Sequence, residues 1–261
     1  MPPLRIDRPD DGVAVLTLDV PERRNAMTEE LTAAWADAIR LLAGDGSLRC
    51  AVVTGAGSAF CAGGDLSWID SGGSLGVVAI RSRMVPFYRT WLAIRDLEVP
   101  TIAAVNGAAI GAGLALALAC DLRYAVPDAP LSAPFTLLGM HAGMATTWLL
   151  PEVAGLAVAR ELLLTGRVLT GAEAVPLGLV NRTFPPDAFM ADVLQVARTV
   201  ASRAPTATRL TKVALASGGH ASFEAALAWE SLAQPVTMAT DDLREGLRAQ
   251  RERRPPRFTG R

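Results

Sequence analysis

The sequence has almost no net charge, few histidines and few cysteines. Its 261 residues carry 25 Lys and Arg against 26 Asp and Glu, a net charge of -1. This balance gives no general attraction to nucleic acid or anionic membranes, and we expect neither as a partner. His141 and His220 are too few for a histidine-based zinc site, and three scattered cysteines fit buried reduced thiols better than disulfides. We therefore expect no metal site.

Long apolar runs are also missing. The longest stretch, residues 108–120, is too short to cross a bilayer. Residues 1–10 combine proline with charge and lack the apolar run of a secretory signal, so we expect a cytoplasmic protein. Hydrophobic residues nevertheless make up 51% of the chain and charged residues 20%, which favours a large core over disorder.

Apolar patterning predicts alternating strands and helices in most of the chain. Short apolar runs predict strands over residues 13–20, 50–54, 101–105 and 122–125. Helical spacing predicts helices over residues 28–42, 65–70, 77–97 and 111–120, with a linker over 71–76. This alternation is typical of an α/β architecture with parallel strands. After residue 187 helix follows helix to residue 251, and we expect Pro186, Pro205 and Pro235 to separate them.

Two glycine-rich turns follow predicted strands: the first glycine turn, residues 62–65, and the second glycine turn, residues 107–113. Glycines after a strand let backbone N–H groups approach a ligand closely. The second turn runs into a helix, whose N-terminal dipole favours negative charge. Two such donors facing each other would stabilise an enolate-like oxygen. The turns alone are equally compatible with tight connections that bind nothing.

Nucleotide-binding motifs are incomplete in this sequence. Gly111 and Gly113 begin like a dinucleotide fingerprint, but Leu116 stands where its third glycine belongs. Lys212 is the only lysine, so the chain has no phosphate-binding loop with its characteristic lysine.

Several further motifs accompany the glycine turns. They occupy residues 21–27, 59–66, 104–113, 120–121, 164–166, 172–174, 178–180, 242–246 and 254–258. This combination resembles the enoyl-CoA hydratase/isomerase, or crotonase, family over nearly the whole chain. The resemblance implies a crotonase-like spiral of repeated ββα units with the acyl-CoA site over residues 1–200, and a C-terminal helical trimerisation region over 201–261. It also implies a homotrimer or dimer of trimers, and no cofactor beyond the CoA moiety of an acyl-CoA or enoyl-CoA thioester.

The resemblance further implies roles for individual residues. The backbone N–H groups of Gly64 and Ala112 would form an oxyanion hole. Arg24 and Ala26 would lie along the CoA nucleotide. The adenine and pantetheine path would comprise Ala62, Asp65 and Leu66, and the acyl pocket would be lined by Ala108, Ile110, Pro134, Phe135, Leu138 and Gly139.

The sequence departs from the family where the hydratases carry two catalytic glutamates. These positions correspond to Ala115 and Phe135, and the downstream acid of some isomerases corresponds to Gly143. His141 lies nearby and has a proton affinity suited to a base, although a lone histidine can also be purely structural. Two hypotheses follow: a lyase or isomerase of fatty acid metabolism with a non-standard acid–base set, or a non-catalytic acyl-CoA binder or carrier. We expect His220 to be structural.

Overall fold

A computed structural model describes residues 2–71, 75–217 and 222–261. His220 and the middle of the predicted linker lie outside these ranges. Within them the strands are β1 (Leu4–Asp10), β2 (Val13–Leu18), β3 (Cys50–Gly55), β4 (Ala59–Cys61), β5 (Thr101–Val105), β6 (Ala108–Ile110), β7 (Leu122–Ala125), β8 (Leu131–Ser132), β9 (Val168–Leu169) and β10 (Arg182–Thr183). The helices are α1 (Glu29–Ala43), α2 (Leu66–Ser71), α3 (Val77–Leu92), α4 (Ala112–Ala119), α5 (Thr146–Thr165), α6 (Gly171–Ala174), α7 (Phe189–Ala201), α8 (Pro205–Ser217), α9 (Phe223–Met238) and α10 (Asp241–Glu252).

The chain repeats a strand–strand–helix unit and builds two sheets from it. The larger sheet has the order β1-β2-β3-β5-β7-β10 and the smaller one β4-β6-β8-β9. The first strand of each unit, β3, β5 or β7, joins the larger sheet, and the next strand joins the smaller. Neighbouring repeats pair in parallel in both sheets. The α/β class, the parallel strands and the C-terminal helices are thus confirmed.

The central strands are apolar throughout because both faces of the larger sheet are covered. All residues of β3 and β5 are buried. One face packs on the main core, where the rings of Trp35 and Trp91 stack with centroids 5.0 Å apart. Against the other face lies α7, through Phe189, Val193 and Ala197. Burial on both sides explains why these strands appear in the sequence as continuous runs of apolar residues and not as an alternation of apolar and polar residues.

Helix boundaries follow local signals where capping is strong. The Thr28 hydroxyl accepts the Leu31 N–H at 3.1 Å and starts α1, as expected. The expected break at Pro235 is wrong, because this residue lies inside α9. The helix predicted over 77–97 ends at Leu92 and continues as a 3₁₀ turn. Strand β1 was not predicted, since it is an edge strand with mostly exposed polar residues.

A buried lysine attaches the C-terminal helices to the sheet. Lys212 on α8 is 7% exposed, and its Nζ lies 2.9 Å from the Asp121 carboxylate and 2.8 Å from the Val99 carbonyl oxygen. The same carboxylate accepts the Thr101 N–H at 2.7 Å at the start of β5. One ion pair therefore links α8 to two central strands. No helix among the described residues is long and apolar enough to cross a membrane.

The chain end folds back on α10. Glu245 accepts hydrogen bonds from the Arg254 guanidinium at 2.6 Å and the Arg257 N–H at 3.0 Å. Asp242 accepts the N–H groups of Thr259 and Gly260. The arginine contacts, that of Arg254 foremost, hold the pKa of Glu245 well below its usual range. The motifs at 242–246 and 254–258 are thus joined to each other by these hydrogen bonds.

Asn25 fixes the turn before α1 against β4. It is fully buried with φ 56°, and its Nδ2 donates to Ala59 O at 2.8 Å and Ala56 O at 3.0 Å. Its Oδ1 accepts the Val20 N–H at 3.0 Å. One amide side chain thus satisfies backbone groups both at Val20 and in the segment that enters β4.

We expect Asn25→Ala to lower the free energy of unfolding by about 3 kcal/mol, because it leaves these buried backbone groups unpaired. Urea unfolding followed by tryptophan fluorescence measures the change. The matched control is Arg24→Ala in the same turn, where an exposed side chain is removed and the loss should stay within about 0.5 kcal/mol. Equal stability of the two variants would contradict this account.

Candidate functional site

The two glycine turns meet where β4 and β6 pair. A Cβ on Gly63 would lie 2.5 Å from Ile110 O and 3.2 Å from Ala112 N, and Gly63 has φ +93°. A Cβ on Gly113 would lie 2.1 Å from Cys61 O. These separations are far below van der Waals contact, so only glycine permits this packing. The glycines bring two stretches of backbone together rather than serving as flexible links.

The backbone of Gly64 and of Ala112 lies beside this contact. Ala112 is the first residue of α4, and the N–H groups of a first helical turn have no partner within their own helix. They also lie at the positive end of the helix dipole. Gly64 pairs with Met27 in an isolated parallel β-bridge, and the Met27 N–H donates to Gly63 O at 2.8 Å. Both Gly64 and Ala112 line one cavity.

This cavity has a volume of about 340 Å³. One wall is formed by the glycine turns, a second by residues 134–144, and a third by α2 and α3. Most of its surface is apolar. The lining residues are Ala62, Gly63, Gly64, Trp68, Ile80, Arg83, Met84, Phe87, Tyr88, Ile110, Gly111, Ala112, Pro134, Phe135, Leu138, Met140, His141, Gly143 and Met144.

The cavity brings together most of the residues singled out from the sequence. The predicted site residues in its lining are Ala62, Gly64, Ile110, Ala112, Pro134, Phe135, Leu138 and His141. Those outside the lining are Arg24, Ala26, Asp65, Ala108 and Gly139, and the side chain of Leu66 is not among those that the structure describes. The Arg24 carbonyl accepts the Ala62 N–H at 2.9 Å, so Arg24 lies beside the first glycine turn with its side chain exposed. The individual roles stay predictions.

Asp65 has a structural environment of its own. Its carboxylate accepts the Ser67 hydroxyl at 2.7 Å and the Ser67 N–H at 3.0 Å, at the start of α2. The Arg23 guanidinium lies 2.7 Å away. The Ser67 hydroxyl, with Arg23 as a smaller contribution, holds the pKa of Asp65 below its ordinary value. This carboxylate is therefore ionised and engaged near neutral pH.

Carboxyl groups are missing from the cavity lining in the described part of the chain. Ala115, which the family resemblance assigns to the first glutamate position, is fully buried within α4, where its N–H donates to Gly111 O at 3.0 Å. Phe135, which the resemblance assigns to the second, lies over the second glycine turn, with its Cζ 3.8 Å from where a Cβ on Gly111 would be. Nor do three His, Cys, Asp or Glu side chains within the described ranges form a group that could hold a metal ion.

His141 is the ionisable side chain of the 134–144 wall. It is exposed, and its Nδ1 lies 2.7 Å from Ala142 O. A carbonyl oxygen can only accept a hydrogen bond, so this contact requires the proton on Nδ1. In the neutral ring the lone pair is then on Nε2, the atom that can take up a proton.

The wall contributed by α2 and α3 was not identified from the sequence. The Trp68 ring stacks on Phe87 with centroids 5.2 Å apart, and the Arg83 guanidinium lies 4.7 Å from the centre of the Trp68 ring. Ile80, Met84 and Phe87 recur at helical spacing and mark the face of α3 that lines the cavity. Their helical spacing was the feature of the sequence that could have identified this wall.

Comparison with known proteins identifies the family. A family model described as enoyl-CoA hydratase/isomerase matches residues 8–261. The chain belongs to the enoyl-CoA hydratase/isomerase family. A Thermus thermophilus relative is 38% identical over 246 residues, covering 94% of this chain and 97% of its own length. The crotonyl-CoA hydratase of Syntrophomonas wolfei is 31% identical over 250 residues, covering 95% of each chain.

A solved structure of the same family confirms the fold. The crystal structure of enoyl-CoA hydratase from Bacillus anthracis matches with a TM-score of 0.93 at 31% identity, covering 99% of this chain and 100% of that chain. The crotonase fold implied by the sequence motifs is therefore correct.

We expect Gly113→Ala to lower the free energy of unfolding by about 1–3 kcal/mol, because the new Cβ must push β4 away from α4. Chemical denaturation measures the loss. Gly46→Ala is the matched control: no atom lies within 4 Å of its added Cβ, so the same substitution has space. A Gly113 variant as stable as the control would show that the two turns can separate without cost.

Proposed function

We propose that this protein is an enzyme that moves a proton within the acyl group of a CoA thioester, an isomerase-type reaction of fatty acid metabolism. The observation that carries the proposal is the meeting of Gly64 and Ala112 at an apolar cavity with a histidine in its wall. Membership of the enoyl-CoA hydratase/isomerase family supports a CoA thioester as the ligand.

The thioester carbonyl is polarised by the two backbone N–H groups. When a proton leaves the α carbon, negative charge develops on the thioester oxygen. Donors fixed in place for that oxygen stabilise the enolate, and loss of one such donor typically slows a reaction by about 100- to 1000-fold. Alanine at position 112 preserves the N–H, because the donor belongs to the backbone.

His141 takes up the proton. Its Nδ1 contact with Ala142 O leaves Nε2 as the basic atom. Hydration would also need a carboxylate that orients and deprotonates water, and such a general base contributes about 100- to 10,000-fold. Ala115 and Phe135 cannot do this, and the Phe135 ring keeps the site apolar. These features favour proton transfer over the addition of water.

The CoA moiety extends from the cavity past the first glycine turn. We assign its nucleotide to Arg24 and Ala26 and its adenine and pantetheine path to Ala62, Asp65 and Leu66. The acyl group lies against Ala108, Ile110, Pro134, Phe135, Leu138 and Gly139. This site belongs to the core of residues 1–200, and the reaction requires no further cofactor.

A non-catalytic acyl-CoA binder or carrier is the second candidate. The absence of carboxyl groups from the described cavity lining favours it. Such a protein would retain the N–H pair for recognition of the thioester alone. It would bind CoA esters without turning them over.

We expect a β,γ-unsaturated hexenoyl-CoA to be converted to its α,β isomer, and crotonyl-CoA hydration to run about 100-fold or more below efficient hydratases. Absorbance of the conjugated thioester measures both reactions.

His141→Ala and His141→Gln should lose the conversion, because neither side chain can act as a base, while calorimetric binding of butyryl-CoA persists. Rapid hydration, or full activity of both variants, would refute this mechanism. Binding without any turnover would establish the carrier.

The C-terminal helices favour self-association. Helix α9 has no buried residue, and its exposed side chains include large apolar ones, with Phe223 77% and Leu232 72% exposed. Large exposed apolar faces of this kind mark interfaces. We propose that residues 201–261 assemble the protein as a homotrimer or a dimer of trimers.

Sedimentation equilibrium should therefore give a trimer or hexamer for the wild-type protein. Leu232→Glu should shift it towards monomer, because the new charge would be buried in the interface without a partner. Glu230→Gln, a nearby exposed position of α9, provides the control and should leave the assembly unchanged. A monomeric wild-type protein at micromolar concentration would exclude the trimer.

A further inference from the structure

The hydroxyl group of Tyr88 occupies the space beside Gly143 in the cavity wall. A Cβ on Gly143 would lie 2.5 Å from the Tyr88 hydroxyl oxygen and 3.1 Å from its Cζ. Gly143 is not among the glycines with positive φ, so its backbone conformation does not require glycine. The close approach of the Tyr88 hydroxyl is what requires glycine at position 143. Any side chain at 143 would displace the hydroxyl, which stands where that side chain would begin.

The loop that carries Gly143 is held firmly. Its carbonyl accepts the Thr146 hydroxyl at 2.6 Å and the Thr146 N–H at 3.0 Å. Met144 and Ala145 both adopt left-handed conformations, with φ 54° and 53°. Such conformations cost energy in non-glycine residues and persist where the surrounding structure enforces them, often at functional sites. The position of the Tyr88 hydroxyl relative to this wall is therefore well defined.

Few of the described side chains in the cavity lining can donate or accept a proton during a reaction. Among the described residues, the lining side chains that carry N–H or O–H groups are those of Trp68, Arg83, Tyr88 and His141. The indole N–H does not ionise, and a guanidinium does not give up its proton in proteins. Tyr88 and His141 therefore remain as the pair available for proton transfer.

Burial favours the protonated form of Tyr88. It raises the pKa of this phenol, and a backbone hydrogen bond from Met144 only partly opposes the effect. The hydroxyl therefore carries its proton throughout the neutral range and can donate it. His141 is exposed, and its Nδ1 contact with Ala142 O leaves Nε2 for the complementary role of acceptor.

We propose that Tyr88 is the catalytic proton donor of this site, delivering a proton to the enolate carbon at which the new C–H bond forms. The inference rests on the proposed isomerase function. His141 Nε2 removes a proton from the α carbon, breaking that C–H bond, and the dienolate oxygen is held by Gly64 and Ala112. The Tyr88 O–H protonates the γ carbon as the double bond moves into conjugation. The imidazolium then returns a proton to the phenolate, and no proton is gained or lost.

The test separates proton removal from proton delivery. A β,γ-unsaturated hexenoyl-CoA is incubated with enzyme in deuterium oxide, and mass spectrometry follows α-deuterium in the remaining substrate while absorbance follows the conjugated product. In Tyr88→Phe, conversion should fall about 100-fold, whereas α-exchange by His141 should stay close to the wild-type rate. Phenylalanine keeps the ring packed against Phe87 and removes only the hydroxyl.

The sequence supplies a matched control, because it contains two tyrosines. Tyr124 packs against Phe184 on the sheet face covered by α7, away from the cavity. Tyr124→Phe should leave both exchange and conversion unchanged. Unaltered conversion in Tyr88→Phe would overturn the donor role. A parallel loss of exchange, conversion and butyryl-CoA binding in this variant would overturn it as well, and either result would leave the proposed function standing. A wild-type protein that binds the thioester without exchange or conversion would overturn both.

Discussion

The close approach of two backbone segments organises the site of this protein. Where β4 meets the start of α4, the Cys61 carbonyl occupies the place of a side chain on Gly113. A methyl group there would separate the sheet edge from the helix by more than an ångström. The first turn of α4 owes its position to this contact, and so do the lining positions of Gly64 and Ala112. The Asn25 amide, bonded to Ala59 O and Ala56 O, holds the same corner from the other side.

The cavity that results is mostly apolar, and its described lining carries no carboxyl group. The ionisable side chains in its described lining are a histidine, a tyrosine and an arginine, and the Asp65 carboxylate at the end of the first glycine turn is bonded to Ser67 and Arg23. Such a site, with two backbone donors proposed for one oxygen, suits the proposed reaction, in which negative charge is transient and confined to that oxygen. It suits poorly a reaction that must orient and deprotonate water. The chemistry proposed for this chain thus rests on the absence of carboxyl groups from the described lining.

Much of this arrangement could be predicted from the sequence because its signals are local. Buried runs such as residues 101–105 identify central strands, Thr28 identifies a helix start, and glycines after strands identify the two turns. The wall formed by α3 could not be predicted in the same way. Helical spacing of Ile80, Met84 and Phe87 shows that one face is covered, but not that a cavity rather than core lies against it. The contact between Tyr88 and Gly143 joins residues 55 positions apart, and no local pattern encodes it.

The attachment of α8 has a consequence for chemical labelling. Lys212 is the only lysine of the chain, and its amine is enclosed between the Asp121 carboxylate and the Val99 carbonyl oxygen. Every other basic side chain apart from the two histidines is an arginine, which does not react with amine-directed reagents. In the folded protein, acylating dyes and cross-linkers would therefore find an accessible amine only at the chain terminus. Exposure of the single lysine would report directly on separation of the C-terminal helices from the sheet.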